Sequence, residues 1–120
     1  LAGMNFRKSS GRGGILQMKK LKVCPGICGL EALITVESED GMEATVQLET
    51  KCPAVQKMIA ALEQPVDAYE ACLVKPGEGP VYEAARMLQH GSCPMAAAVL
   101  KCIEAECNLA LPKDVTMTFV

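Results

Sequence analysis

The pattern that constrains the fold most is a period-two alternation on both sides of a short turn at Glu39-Asp40-Gly41. Residues 42–50 alternate throughout, with apolar side chains at Met42, Ala44, Val46 and Leu48. Residues 30–38 alternate for most of their length and are rich in β-branched side chains. Glycine readily takes the positive φ that tight hairpin turns need. We therefore predict an antiparallel hairpin with one buried face.

After Cys52 the apolar period changes from two residues to 3.6, which predicts helices. Pro53 suits the first turn of a helix, and segment 66–74 is predicted as a short helix, with a strand as the alternative. The predicted elements are strands at 20–23, 30–38, 42–50 and 115–120, and helices at 53–64, 66–74, 80–88 and 94–107. They predict an α+β fold, in which an antiparallel three-stranded sheet, plus the C-terminal strand, packs on three to four helices.

Composition divides the chain into a basic leader and one domain. Residues 1–17 are polar and glycine-rich, and they contain Arg7, Lys8 and Arg12 but no acidic residue. This composition is typical of a disordered segment. We interpret residues 1–17 as a disordered leader or non-native segment, with Met18 as the start, and residues 18–120 as a single α+β cysteine-rich domain. A native flexible basic tail is the alternative.

Charge and aromatic content argue against a nucleic-acid partner. The net charge is −2 although the leader is basic, so the predicted domain is more acidic than the whole chain. An acidic body repels phosphate backbones, and a chain without Trp and with two Tyr and two Phe lacks base-stacking platforms. The sequence has no apolar run long enough for a membrane span and no signal-peptide pattern at its start. We therefore predict a cytoplasmic protein without a membrane contact.

The seven cysteines are the main functional signal. An odd and high number of cysteines in a reducing compartment favours metal binding or redox chemistry over disulfides. Cys52 and Cys93 each precede a proline at an expected helix start, where unpaired amides and the helix dipole stabilise a thiolate. The hairpin brings Cys28, just before its first strand, to the same end as Cys52, just after its second. Cys24 is tied to this end by its four-residue distance from Cys28.

Cys93 reaches the same end under one assumption. If strand 115–120 runs parallel to strand 42–50, the helix between them must begin at the end that carries the other cysteines. We then predict a shared thiolate site, with Cys24 or His90 as its fourth ligand. Three soft thiolates suit zinc, iron or Cu(I). The remaining cysteines lie in apolar helical patterns and are interpreted as core residues: Cys72, Cys102 and Cys107.

The order of these residues resembles the iron–sulfur cluster assembly scaffolds, the NifU-like N-terminal domain. The matching features are Cys28-Gly29 before the hairpin, Cys52 at the next helix start and Cys93 before the long helix. Ser92-Cys93-Pro94 is also similar to the cysteine domain with a Thr-Ser-Cys-Pro-Asp signature. A small, uncharacterised, cysteine-containing family of anaerobes is a further resemblance, and it implies no activity. The scaffolds have an aspartate two residues after their first cysteine, where this chain has Leu30.

The resemblance implies a NifU/SufE-like fold and a three-cysteine site, Cys28, Cys52 and Cys93, that holds Zn²⁺ or a [2Fe–2S] cluster. It also implies iron–sulfur assembly or redox proteins as partners. Our first interpretation is a small metal-thiolate protein that acts as a scaffold or carrier, without catalytic residues. A metal-free thiol protein with Cys93 or Cys52 as its nucleophile is the second. A non-catalytic interaction module with cysteines in its core is the third.

Overall fold

The hairpin predicted around Gly41 forms the centre of the sheet. The computed structural model describes residues 18–120, so the interpretation of residues 1–17 lies outside the described residues. Strands β1 (Met18–Val23), β2 (Ala32–Glu37) and β3 (Glu43–Thr50) form an antiparallel meander. Gly41 has φ +75° at the turn, as the sequence predicted.

Asp40 stabilises the same turn through its carboxylate. Its Oδ1 accepts hydrogen bonds from the backbone N–H groups of Met42 and Glu43, at 2.9 and 3.0 Å. The bond from Glu43, followed by that from Met42, lowers the pKa of Asp40. The turn is therefore held by a charged acceptor as well as by the glycine.

The fourth strand is the short β4 (Val66–Asp67), which pairs antiparallel with the start of β3. The prediction of a strand at 115–120 is wrong, because these residues form no strand in the described structure. The edge of β3 is occupied by β4 and by Gln64. The Gln64 side chain accepts from Val46 N–H at 2.7 Å and donates to Val46 C=O at 2.9 Å, as a neighbouring strand would. The resulting order is β1-β2-β3-β4.

Four helices within residues 18–120 complete the α+β fold, which confirms the predicted class. They are α1 (Pro53–Ala61), α2 (Ala68–Cys72), α3 (Pro80–Ala84), which continues into a 3-10 turn (Ala85–Met87), and α4 (Met95–Glu106). The segment predicted as one helix at 66–74 is divided between β4 and α2. Asp67 causes this division, because its side chain caps α2 by accepting from the N–H groups of Tyr69 and Glu70.

The helices cover one face of the sheet. The side chains that alternate along β2 and β3, such as Ile34, Val36 and Val46, are buried on that face. From α4 they meet a stripe with helical spacing that includes Val99 and Ile103. The opposite face of the sheet carries exposed polar side chains in β3 and is left open by the elements within residues 18–120. This arrangement gives two layers with a single core between them.

Candidate functional site

The direction of α4 decides where Cys93 lies. The thiol of Cys102 donates to the carbonyl of Lys19 at 3.3 Å and lies 4.0 Å from that of Ile34. One turn later, Glu106 Oε2 accepts from the N–H of Ser38 at 3.0 Å. The helix therefore ends beside the β2–β3 turn, which we call the hairpin end of the sheet.

The start of α4 points away from the hairpin end. From Cys102 back to Met95 the helix covers about 10 Å, and the same distance along β2 leads from Ile34 to Glu31. We call this the cysteine end, where β1 ends, β2 begins and β3 ends. The strand on which the sequence argument relied is not formed by residues 115–120, so the position of Cys93 beside the other cysteines stays a prediction.

Cys24 and Cys28 lie in the connection from β1 to β2. Cys24 follows β1 directly, and its thiol donates to Glu31 Oε2 at 3.4 Å. Cys28 lies in a turn closed by the hydrogen bond from Gly29 N–H to Gly26 C=O at 3.0 Å. Both thiols are exposed to solvent. This segment therefore offers two accessible sulfur atoms and a nearby carboxylate.

Cys52 lies between β3 and α1, as the residue before the first helical turn. Its N–H donates to Thr50 Oγ1 at 3.2 Å, and that hydroxyl donates to the carbonyl of Glu31 at 3.0 Å. Thr50 therefore ties the start of β2 to the residue before α1. The Cys52 thiol is half-buried against the core.

Cys93 lies one residue further from its helix than the sequence predicted. The helix begins at Met95 with Pro94 as its N-cap, so Cys93 is outside the cap. The N–H of Cys93 donates to the carbonyl of His90 at 3.1 Å, which puts both residues in one turn. Cys93 is half-buried, whereas His90 is exposed.

The structure brings the segments of Cys24, Cys28 and Cys52 to one end of the sheet without closing side chains into a ligand set. Within residues 18–120, no three His, Cys, Asp or Glu side chains are grouped closely enough to hold a metal ion. An open groove lined by residues 29–31 and 49–51 lies between the segment after Cys28 and the segment before Cys52. A shared site would require the exposed connection that carries Cys24 and Cys28 to move.

The other three cysteines are placed as the sequence predicted, in or against the core. Burial, and next the negative charge of Glu106, raise the pKa of Cys102 to about 12. Burial, followed by the charge of Glu104, raises the pKa of Cys72 to about 12. Cys107 is buried at the end of α4. Cys72 and Cys102 therefore stay protonated at neutral pH and are poor ligands in this conformation.

Sequence reasoning missed Glu106, whose side chain is fully buried. Besides accepting from Ser38 N–H, its Oε1 lies 3.8 Å from the Lys19 ammonium. The available signal was its spacing, because it follows Val99 by seven residues and Ile103 by three, on the apolar stripe of α4. An acidic residue on a buried stripe predicts a specific polar contact.

Comparison with known proteins identifies the family. A family model described as a family of unknown function (DUF6951) matches residues 19–119. The chain belongs to the DUF6951 family. Neither a curated protein nor a solved structure shows significant similarity to it. None of the described helices of this DUF6951 chain has the length and apolar character that crossing a membrane requires.

Proposed function

We propose that the protein binds a thiophilic metal at the cysteine end, either Zn²⁺ or an iron–sulfur cluster of the [2Fe–2S] type. The ligands are Cys28, Cys52 and Cys93, and Cys24 or His90 completes the set. The observation that supports the proposal is the direction in which the strands and α4 run. The register of β2 and β3 supports it by bringing the segments of Cys28 and Cys52 to one end of the sheet, and α4, which ends beside the β2–β3 turn, runs from the direction of that end.

The exposure of the thiols supports the same assignment. The four proposed thiol ligands are exposed or half-buried, so a metal ion from solvent can reach them. Closure would bring the exposed connection at residues 24–31 towards Cys52 and Cys93. Coupling of metal binding to local ordering is common in thiolate sites. Thr50 already holds the two neighbouring strand ends together.

The chemistry of the ligands limits the metal. Thiolates with at most one imidazole suit zinc or iron–sulfur clusters and disfavour magnesium and calcium. A protein with such a site and reduced thiols fits a cytoplasmic carrier or scaffold, with iron–sulfur assembly or redox proteins as partners. These partners follow from the resemblance to NifU-like domains and belong to the proposal.

Metal content of single variants tests the site. The full chain is purified without oxygen, and metal is measured by elemental analysis together with the visible spectrum, before and after loading with zinc or with iron and sulfide. Cys28→Ser, Cys52→Ser and Cys93→Ser should each lower the metal affinity by at least about tenfold. Cys24→Ser and His90→Ala then identify the fourth ligand, because only one of them should have a comparable effect.

Cys72→Ser is the matched control, because Cys72 is half-buried like Cys52 and Cys93 but lies against α4 at Leu100. It should bind metal as the wild type does. Equal metal content in all variants would contradict the proposal. Alkylation rates distinguish the metal site from a metal-free thiol protein. Loading with metal should protect several cysteines together, whereas a thiol nucleophile would be one cysteine that reacts faster than the rest.

A further inference from the structure

The C-terminal segment, residues 113–120, is where sequence and surroundings disagree most. It reads KDVTMTFV, and its β-branched and aromatic side chains favour a strand. In the described structure it forms no strand, and its apolar side chains are exposed, with Met117 at 85% and Phe119 at 105%. Local preference and fold normally agree, so this disagreement indicates a missing partner.

The outer edge of β1 offers the complementary surface. In the order β1-β2-β3-β4, this edge has no strand neighbour within the part of the chain that the structure describes. An open edge presents backbone donors and acceptors that can pair with another strand. A groove lined by Lys19, Ala105 and residues 108–112 leads from the end of α4 to the start of this edge. The match to the DUF6951 family spans residues 19–119, so it includes all but the first residue of β1 and all but the last residue of the segment.

We propose that segment 113–120 of one copy pairs with β1 of a second copy, and reciprocally, in a two-fold symmetric dimer. The alternation puts Met117 and Phe119 on one face of the added strand and the intervening threonines on the other. The apolar face continues the buried face of the sheet beyond Leu21 and Val23. The threonine face continues the open, polar face.

The direction of the chain favours a second copy over fold-back onto the same copy. The segment leaves the groove beside Lys19, whereas antiparallel pairing with its own β1 would have to begin opposite Val23. Lys19 and Val23 are about 13 Å apart along the strand, and the three residues from Pro112 to Val115 reach about 11 Å at most. Fold-back would therefore be parallel, which is slightly less stable per residue. Antiparallel pairing with β1 of a two-fold-related copy is not limited by this distance.

Sedimentation velocity and native mass spectrometry of the full chain test the dimer over a wide range of concentration. A reductant and a chelator exclude links through disulfides or metal. A dimer is expected, and the double variant Met117→Asp/Phe119→Asp should weaken it by at least about tenfold, because it puts charges on the buried face. The matched control, Thr116→Asp/Thr118→Asp, adds the same charges to the other face and should leave dimerisation nearly unchanged.

Hydrogen exchange locates the contact. Amides of residues 115–119 should become protected together with those of β1 as the concentration rises. Three results would overturn the proposal: a monomer at every concentration, a dimer that Met117→Asp/Phe119→Asp leaves intact, or protection of the segment in a monomer, which would mean fold-back. All four substituted side chains are exposed in the single chain, so these variants should keep the fold, which circular dichroism checks.

Discussion

Cysteine side chains at the two ends of the sheet differ in their exposure to solvent. At the cysteine end, thiols flank strand and helix ends and remain reachable by solvent, as Cys28 does. Towards the hairpin end, Cys102 and Cys107 are enclosed by α4 and the sheet. Six of the seven cysteines therefore form two groups with different physical properties, and Cys72 lies apart from both, half-buried against Leu100 of α4. We expect the first group to bind metal and the second group to contribute to the stability of the fold.

The largest expected effect concerns the buried carboxylate that fixes the hairpin end. Glu106→Ala should lower the free energy of unfolding by about 3 kcal/mol, because it leaves the N–H of Ser38 without its charged acceptor and opens a cavity. Denaturant unfolding measures the change. Glu104→Ala is the control on the same helix, where a partly exposed ion pair with Lys101 should contribute about 0.5 kcal/mol. Equal losses would mean that the Glu106 contacts are not special.

A crossed pair of cysteine variants sharpens the comparison. Cys102→Ala removes a buried side chain and should lower the free energy of unfolding by about 1–2 kcal/mol while metal binding is retained. Cys28→Ala should change the free energy of unfolding of the metal-free protein by less than about 0.5 kcal/mol but lower the metal affinity by at least about tenfold. Denaturant unfolding and elemental analysis are made on the same samples. A metal loss in Cys102→Ala without unfolding would remove the distinction between the two groups.

Stability at alkaline pH is the next test. The pKa of Cys102 is about 12 in the folded chain, against an ordinary value of 9.0, so the unfolded chain loses this proton first. Fewer bound protons in the unfolded state mean that stability falls as pH rises from about 9 towards about 12. Urea unfolding at several pH values should give a shallower fall for Cys102→Ala than for the wild type. Identical slopes would show that this thiol does not carry the effect.

The smallest expected effect is a local change in backbone protection. Zinc should slow hydrogen exchange at residues 24–30, because closure orders an exposed connection. The β2–β3 turn should not change, because Asp40 already holds it. Mass spectrometry of exchanged peptides compares the two segments. A slower exchange confined to the turn would place the metal at the wrong end.

The hairpin and the two long helices were predictable because their patterns are local. Residues 42–50 alternate without a break, and a helical stripe runs through α4 to its end. The strand at 115–120 was predicted wrongly for the same reason. A local preference for strand structure does not reveal which edge of a sheet is free. The edge of β3 is occupied by β4 and the Gln64 amide.

The site was predictable in part. The hairpin alone brings Cys28 and Cys52 to one end, since register follows from the turn. The position of Cys93 depends on contacts that have no local signature, such as that between Glu106 and Ser38, residues 68 positions apart in the chain. The sequence also did not reveal how far Cys93 lies from α4, because Pro94 is the N-cap of the helix and not its first residue.

X-ray absorption at the metal edge is the most direct test of the shared thiolate site. For the zinc-loaded chain, we expect at least three sulfur neighbours at about 2.3 Å, and one fewer in Cys93→Ser. A first shell of nitrogen and oxygen, or a spectrum that Cys93→Ser leaves unchanged, would contradict a site shared by the three segments.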